Sequence, residues 1–286
     1  MARLDVLKTY KIFIGGKFPR TESGRCFHVK NDKGDLLVNM CLSSRKDFRN
    51  AVVAARKAQK FWEKLTAFNR GQILYRIAEM LEGRKSQFID ELVLSGCLKS
   101  EAKNEVEQSI DRLIYYAGWS DKFGQIFSTV NPVSTNHFNF SSHQAVGIVS
   151  VIAPNESPLL GLVSLIAPII VGGNSCVVLA SEKNPIVSIS FAEVLNTSDV
   201  PSGAVNILTG KKEELLEYFA SHMDVNSIIY CGDNQDQIKN IENLSVENLK
   251  RTTVYNRNNW SGENSQSPYF IEKFQEVKTT WHPTEV

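Results

Sequence analysis

Cysteine thiols are the first residues of this sequence that could do chemistry, as nucleophiles or as zinc ligands. The chain has five of them, at Cys26, Cys41, Cys97, Cys176 and Cys231. They are odd in number and widely spaced, without a C-x-x-C pair or a histidine at metal-ligand spacing. This pattern indicates reduced structural thiols rather than a disulfide framework or a zinc site, so we expect no bound metal.

Acidic side chains at predicted turns are the second candidates. Glu182 stands just past a predicted strand, where a carboxylate can hold a ribose hydroxyl of a nucleotide. Glu156 and Asp233 follow two other predicted strands, but their irregular spacing favours solvated loop acids over metal ligands. Two features argue against a dinucleotide. The first turn, A-P-N-E-S-P, lacks G-x-G-x-x-G, and Asp233 and Asp236 would repel a phosphate at a helix N-terminus.

These residues need elements to position them, and from residue 147 the sequence alternates between strand and helix patterns. Apolar strand-like runs lie at 147–152, 175–179, 204–208, 227–230 and 252–254. Helical stretches lie between them at 158–171, 185–196, 212–222 and 234–244. Ser157 followed by Pro158 suits the N-cap and first turn of the first helix. The alternation predicts an α/β fold with a doubly wound parallel sheet.

A doubly wound sheet binds its ligands beyond the carboxyl ends of its strands. Helix N-termini at that edge attract anionic groups. Any cofactor site is therefore predicted where the strands end. Its candidate residues are Ile152, Ala153, Pro154, Glu182, Gly210 and Gly232.

Residues 1–130 are predicted to form mainly a helical layer beside this sheet. Apolar side chains recur there with helical spacing, and charged side chains occupy the opposite faces. Two short extended pieces precede the helices, a hairpin over 11–18 and a strand over 36–40. Residues 131–146 alternate and are polar on both sides, which predicts an exposed ribbon and a candidate protein-binding edge.

Composition excludes several classes of partner. The 286 residues include 32 basic and 31 acidic side chains, for a net charge of +1, so we expect no nucleic acid partner. The longest apolar run, residues 159–171, is shorter than the roughly 20 residues that span a bilayer. Residues 1–11 lack the apolar core of a signal peptide. We therefore expect a folded cytoplasmic protein without a membrane span.

An ordered series of motifs resembles the aldehyde dehydrogenase superfamily over nearly the whole chain. The series comprises I-F-I-G-G-K-F, Y-Y-A-G-W, A-V-G-I-V-S-V-I-A-P, A-P-I-I-V-G-G-N-S, P-S-G-A-V-N-I-L-T-G and L-K-R-T-T. The resemblance implies a nicotinamide-cofactor domain of Rossmann type, which in the family is followed by a catalytic domain with a cysteine nucleophile. The implied reaction is NAD(P)-dependent aldehyde oxidation, in which a thiolate attacks the carbonyl and hydride leaves to the nicotinamide.

The residues at the functional positions of the family differ in this chain. Glu156 stands where the resemblance places an oxyanion-stabilising amide, and Leu179 where it places a ribose-binding lysine. Gln237 replaces a glycine of the phosphate turn, and Tyr255 replaces the glutamate base. A tyrosine, with an ordinary pKa of about 10, is a poor base at neutral pH. No cysteine follows Cys231, so no residue is predicted to be catalytic.

Two segments resemble the oligomerisation element of the family, one before and one after the Rossmann-like part. The whole pattern is similar to the shortened second copy, without the nucleophile, of two-part aldehyde dehydrogenases. The predicted organisation is the helical part of a cofactor-type domain at 1–130, an oligomerisation ribbon at 131–146, a Rossmann-like part at 147–255, a flexible linker in place of the catalytic domain at 256–267 and an oligomerisation strand at 268–286.

We therefore expect an aldehyde dehydrogenase-like protein that is not an enzyme on its own but a non-catalytic oligomerisation or scaffold module. The expected partner is a second copy or a catalytic aldehyde dehydrogenase, bound through the ribbon 133–143 and the tail 268–283. No cofactor is expected, but two alternatives stay open. One is a sensor that binds NAD or NADP. The other is part of an NAD(P)-dependent aldehyde oxidoreductase whose nucleophile lies on another chain.

Overall fold

The computed structural model describes residues 7–31, 34, 36–256 and 259–284. Three predictions fall partly outside the described residues. These are the absence of a signal peptide at residues 1–11 (1–6 are outside), the linker (257–258 are outside) and the tail (285–286 are outside). The strands are β1 (Thr9–Tyr10), β2 (Cys26–Lys30), β3 (Leu36–Cys41), β4 (Thr129–Asn131), β5 (His137–Ala145), β6 (Ile148–Ile152), β7 (Ser175–Leu179), β8 (Val205–Leu208), β9 (Ser227–Cys231), β10 (Arg251–Tyr255) and β11 (Gln275–Pro283). The α-helices are α1 (Arg45–Trp62), α2 (Ala67–Gly83), α3 (Lys85–Leu94), α4 (Lys99–Trp119), α5 (Phe123–Phe127), α6 (Leu160–Val171), α7 (Ile186–Asn196), α8 (Lys212–Ser221), α9 (Gln235–Ser245) and α10 (Tyr269–Glu272).

A parallel sheet with the strand order β10-β9-β6-β7-β8 forms the centre of the protein. Every residue of β6, β7, β8 and β9 is buried, because helices cover both faces of the sheet. The layer α2–α4 packs with α6 and α7 on one face, and α1, α8 and α9 pack on the other. The predicted α/β fold, with its Rossmann-type sheet and N-terminal helical layer, is confirmed. Each of the five strands predicted after residue 147 lies within one residue of its observed bounds.

Helix α6 carries the longest apolar run of the sequence, and all 12 of its residues are buried in the protein core. It packs against α4, α2 and α10 as well as against β7. None of the helices in the described part of the chain combines the length and the apolar content that crossing a bilayer requires.

The start of α6 differs from the prediction. The helix begins at Leu160, and Ser157 is not its N-cap, because a φ of 50° places that residue in the left-handed region. The backbone N–H groups of Leu159 and Leu160 instead donate to the carboxylate of Glu105 in α4, at 2.8 and 3.1 Å. The prediction was wrong because the capping group comes from a residue 54 positions away in the sequence.

The N-terminal segment forms the predicted tight turn and closes one edge of the parallel sheet. Ile14 and Lys17 exchange two backbone hydrogen bonds around a turn in which Gly15 has a φ of 60°. Phe13 exchanges two more with Ile207 of β8, both at 2.8 Å. The edge strand β8 is therefore covered by backbone of the same chain. The nearby strands β1, β3 and β2 form a small sheet of their own in that order.

Residues of the predicted ribbon and tail lie in a separate sheet with the strand order β11-β5-β4. Strand β11 pairs antiparallel with β5 along its whole length, from Gln275 opposite Ala145 to Pro283 opposite His137. Strand β11 is at the edge of this sheet, and most of its residues are exposed.

The segment predicted as a flexible linker is packed against the helices where it is described, at residues 259–267. Trp260 is buried, and the buried guanidinium of Arg112 in α4 donates to the backbone carbonyl oxygens of Trp260 and Ser265, at 3.0 and 2.5 Å. The same guanidinium donates to Gln266 Oε1 at 3.0 Å. The polar composition of the segment predicted flexibility. The packing could not be foreseen, because the group that binds the segment belongs to a helix about 150 residues away in the sequence.

Candidate functional site

Two cavities lie side by side at the carboxyl edge of the parallel sheet, and Asn155 contributes to the walls of both. The larger cavity, of about 680 Å³, extends toward β2 and the start of α4. The smaller one, of about 450 Å³, lies at the ends of β9 and β10. This is the edge at which a doubly wound sheet binds ligands.

The predicted cofactor residues do not share one cavity. Three of them lie on cavity walls, Glu182 in the larger cavity and Pro154 and Gly232 in the smaller. The other three line neither cavity and are buried, namely Ile152, Ala153 and Gly210. The space above Gly210 is taken by Leu215, because an added Cβ there would lie 3.1 Å from Leu215 Cδ1.

Glu182 is bonded to the start of a neighbouring helix. Its Oε1 accepts a hydrogen bond from the backbone N–H of Lys212, the first residue of α8. Asn155 Oδ1 accepts the backbone N–H of Glu182 at 3.1 Å and so fixes the turn that carries it. A carboxylate in this position interacts favourably with the positive end of the helix dipole. The N-terminus of α8 therefore already holds an anionic group.

The turn between β9 and α9 is filled by its own side chains. Tyr230 Oη donates to Gln237 Oε1 at 2.5 Å. A Cβ added to Gly232 would lie 2.6 Å from Tyr230 Oη, so the phenol sits directly over this glycine. Asn234 Oδ1 accepts the backbone N–H of Gln237 at 3.1 Å and caps α9. A phosphate at this helix N-terminus would need the space over Gly232 and a free backbone N–H. The Tyr230 phenol fills that space, and Asn234 already accepts the N–H of Gln237.

Glu105, the cap of α6, is a site residue that sequence reasoning missed. It lines the larger cavity, and its partial burial raises the pKa of its carboxyl group. Together with Glu182 on α8 and Asn234 on α9, it places side-chain oxygens on three of the helix N-termini at this edge. No local pattern could have identified Glu105, because its partners are distant in the sequence.

Cys231 and Tyr255 both line the smaller cavity, and burial disfavours the ionised form of each side chain. Cys231 is only 4% exposed, and burial raises the pKa of its thiol. Burial also raises the pKa of Tyr255, whose ring packs against Trp260 and Phe270. A nucleophilic cysteine acts as the thiolate, and a general base needs a pKa near the working pH.

The acidic residues at this edge are divided between the cavities. Glu156 and Asp233 border the smaller cavity, whereas Glu182 borders the larger one. Within the described residues, no three histidine, cysteine, aspartate or glutamate side chains are grouped closely enough to hold a metal ion.

Comparison with known proteins agrees with the α/β fold of this chain. The profile of the aldehyde dehydrogenase family matches residues 20–255. The chain therefore belongs to the aldehyde dehydrogenase family. The putative aldehyde dehydrogenase DhaS of Bacillus subtilis (strain 168) is 30% identical over 251 residues, which are 86% of this chain and 50% of that protein. Retinal dehydrogenase 2 of Gallus gallus is 31% identical over 254 residues, 87% of this chain and 48% of that protein.

Solved structures give the same result for the fold. The structure of the aldehyde dehydrogenase from Bacillus cereus in complex with NAD+ matches with a TM-score of 0.83 and 25% identity, over 87% of this chain and 51% of that chain. The chain thus spans about half the length of these two relatives and of this solved structure.

Proposed function

We propose that this chain is a non-catalytic member of the aldehyde dehydrogenase family that assembles with other chains through the outer edge of β11. One observation carries the proposal. Strand β11 is nine residues long and lies at the edge of its sheet, where β5 is its one strand partner among the described residues. An exposed edge of this length is a template for pairing with a further strand.

The backbone hydrogen bonds define which groups of β11 face outward. Val146 N–H donates to the carbonyl of Phe274, and Thr284 N–H donates to the carbonyl of Asn136. Because hydrogen-bonded and non-hydrogen-bonded pairs alternate in an antiparallel ladder, the even-numbered residues of β11 bond to β5. The N–H and C=O groups of the odd-numbered residues, including Thr279, therefore point to the outer edge.

A second copy of β11 fits this edge in an antiparallel register centred on Thr279. That register sets Val277 opposite Trp281, two side chains that are 60% and 57% exposed in the single chain. It also sets Glu276 opposite His282. An aromatic side chain opposite a β-branched one stabilises a sheet by about 0.2–1 kcal/mol per pair, and the two-fold register forms the Val277–Trp281 pair twice. The preferred partner is therefore a second copy of this chain.

Light scattering tests the association. We expect the wild type to be a dimer or a larger assembly. Thr279→Pro removes an outward N–H without removing a hydrogen bond to β5, so it should yield monomers. Thr279→Ala is the matched control, because it loses the same contact with Ser141 Oγ but keeps the N–H. Trp281→Lys should also weaken the assembly.

A catalytic aldehyde dehydrogenase is the other candidate partner. If the wild type alone is a monomer, light scattering of its mixture with such an enzyme tests this second partner. A complex that forms only in the mixture identifies the enzyme, rather than a second copy of the chain, as the partner. A wild type that stays monomeric under both conditions, or a Thr279→Pro variant that assembles as the wild type does, contradicts the proposal.

The proposed lack of catalysis is supported by the chemistry of the smaller cavity. The thiol of Cys231 is buried with a raised pKa, and Tyr255 stands where the family resemblance places the base. We expect the purified chain to oxidise aldehydes with NAD or NADP no faster than a blank. A rate that Cys231→Ser abolishes would overturn this part of the proposal. A rate that appears only with a second chain present would instead favour a nucleophile supplied by that chain.

The residues at the carboxyl edge do not fit the pyrophosphate of NAD or NADP. The carboxylate of Glu182 holds the first N–H of α8, and Tyr230 covers Gly232 while bonded to Gln237. We therefore propose that the chain needs no cofactor. The alternative, a nucleotide sensor, predicts a rise in melting temperature with NAD or NADP, since a ligand that binds only the folded state stabilises it. We expect no such rise at millimolar nucleotide.

We propose that the chain is located in the cytoplasm, and its free thiols support this location. All five cysteines are free, and two of them, Cys26 and Cys97, are exposed or half-buried. Free thiols at a protein surface fit a reducing compartment. Fractionation of cells that express a tagged chain tests this, and recovery in an oxidising compartment would contradict it.

A further inference from the structure

Cys26 and Cys41 lie directly opposite each other in the antiparallel pair of β2 and β3. The neighbouring pair is hydrogen-bonded, because the N–H of Leu42 donates to the carbonyl of Arg25 at 2.9 Å. The two cysteines therefore form a non-hydrogen-bonded pair, in which the Cα atoms are about 4.5 Å apart and the side chains are closest. Disulfides span Cα separations of about 4.4–6.8 Å, so this position can accept one without a large backbone movement.

The two thiols differ in their environment. Cys26 is exposed at the start of β2, whereas Cys41 is 1% exposed at the end of β3. Burial raises the pKa of the Cys41 thiol. Oxidants in solution therefore reach Cys26 first, and Cys41 is held beside it.

We propose that Cys26 and Cys41 form a redox modification site, in which peroxide oxidises Cys26 and Cys41 completes an intramolecular disulfide. The Cys26 thiolate attacks one oxygen of hydrogen peroxide, the O–O bond breaks, and Cys26 becomes a sulfenic acid while hydroxide leaves and takes up a proton to form water. The sulfur of Cys41 then attacks the sulfenic sulfur. The S–O bond breaks, a second water forms, and the two thiols have together lost two electrons to the peroxide.

The cross-link would fix β2 against β3 next to the larger cavity. Phe27 and Lys30 of β2 both line that cavity, so oxidation acts on one of its walls. The other cysteines lack this arrangement. Cys97 is half-buried beside Glu101, and Cys176 and Cys231 are buried within the parallel sheet.

Treating the full chain with a small excess of hydrogen peroxide and measuring its intact mass tests the site. The expected product has lost the mass of two hydrogen atoms, gives one peptide pair joined through Cys26 and Cys41 after digestion, and regains both thiols with dithiothreitol. Cys41→Ser should instead stop at a sulfenic acid on Cys26 that dimedone traps. Cys26→Ser should leave Cys41 reduced, and Cys97→Ser, the matched control, should behave as the wild type does.

Three results would overturn the proposal. One is a wild type that loses no hydrogen under conditions in which dimedone labels Cys26. Another is a disulfide that joins two chains through Cys26. The third is a loss of two hydrogens that persists in Cys41→Ser, since the bond would then involve a different thiol.

Discussion

The phenol of Tyr230 and the side-chain amide of Gln237 are joined by a 2.5 Å hydrogen bond that spans the turn between β9 and α9. The same bond holds the ring over Gly232, whose added Cβ would lie 2.6 Å from the phenol oxygen. The hydrogen bond between Tyr230 and Gln237 thus stabilises the turn and also keeps the Tyr230 ring in the space over Gly232. The N-terminus of α9 is therefore covered by side chains of the same chain.

The Tyr230–Gln237 bond should appear as a coupling between the two side chains. We expect Tyr230→Phe and Gln237→Ala each to lower the free energy of unfolding by about 1 kcal/mol, the net contribution of a typical hydrogen bond. The double variant should lose little more than either single variant, because the bond is lost only once. Urea denaturation of the four proteins measures this. Additive losses would show that the two side chains do not depend on each other.

Glu105 should make stability depend on pH in a defined direction. Burial raises the pKa of its carboxyl above the ordinary value of 4.5, so the folded state binds this proton more readily than the unfolded state does. The contribution of protonated Glu105 to the stability of the folded state is therefore fully present below about pH 4.5, and it is lost as the pH rises through the folded-state pKa. Glu105→Gln keeps an acceptor oxygen but does not titrate.

The free energy of unfolding of the wild type should therefore rise relative to that of Glu105→Gln as the pH falls from about 7 to 5. Glu105→Ala, which leaves the N–H groups of Leu159 and Leu160 without this acceptor, should be about 1–2 kcal/mol less stable than the wild type at neutral pH. A constant difference between wild type and Glu105→Gln over this pH range would contradict the argument.

The elements of the Rossmann-type part could be predicted because their signals are local. The run Ser175–Leu179 is predicted and observed with the same bounds, since a strand buried on both faces is a continuous apolar segment. The turn at Gly15 could be predicted for the same reason, because the need for a positive φ is a property of the residues themselves.

The contents of the candidate site could not be predicted in this way. The resemblance identified Gln237 as a departure in the phosphate turn, but the hydrogen bond that makes it matter joins it to a residue of the preceding strand. Glu105 reaches α6 from another helix, and Arg112 binds a segment 148 residues away. Such contacts depend on packing between layers, which no spacing rule in a single sequence describes.

Arg112 should be among the residues on which stability depends most strongly. It is 4% exposed, and its guanidinium donates to two backbone carbonyls, to Gln266 Oε1 and to Ser164 Oγ at 2.6 Å. Arg112→Met leaves these buried acceptors without a donor, and we expect a loss of about 3 kcal/mol or more. Arg112→Lys should not restore it, since one ammonium cannot reproduce the planar set of donors.

Urea denaturation and hydrogen exchange over residues 259–267 measure the effect of Arg112→Met. The exchange of this segment should become faster than that of the parallel sheet. Arg56→Met is the matched control, because Arg56 forms an exposed ion pair with Asp224 at 3.2 Å and such pairs contribute about 1 kcal/mol or less. Equal losses in the two variants would contradict a special role for Arg112.

Lys250 should make the free energy of unfolding depend on pH in the alkaline range. Its Nζ donates to the carbonyl oxygens of Ala220 and His222 at 2.6 and 2.9 Å, and burial lowers its pKa from 10.5 to about 8. Between these two values the unfolded state binds more protons than the folded state, so the contribution of Lys250 to stability rises with pH across this window. His222, whose pKa burial lowers from 6.5, titrates below it.

Lys250→Met removes this titration. The free energy of unfolding of the wild type should therefore rise relative to that of Lys250→Met by about 1–3 kcal/mol as the pH increases from about 8 to 10. The comparison is made by urea denaturation, with Lys239→Met as a control at an exposed lysine of α9. A wild type that instead loses stability relative to Lys250→Met in this window would show that the two carbonyls hold the ammonium more strongly than burial disfavours it.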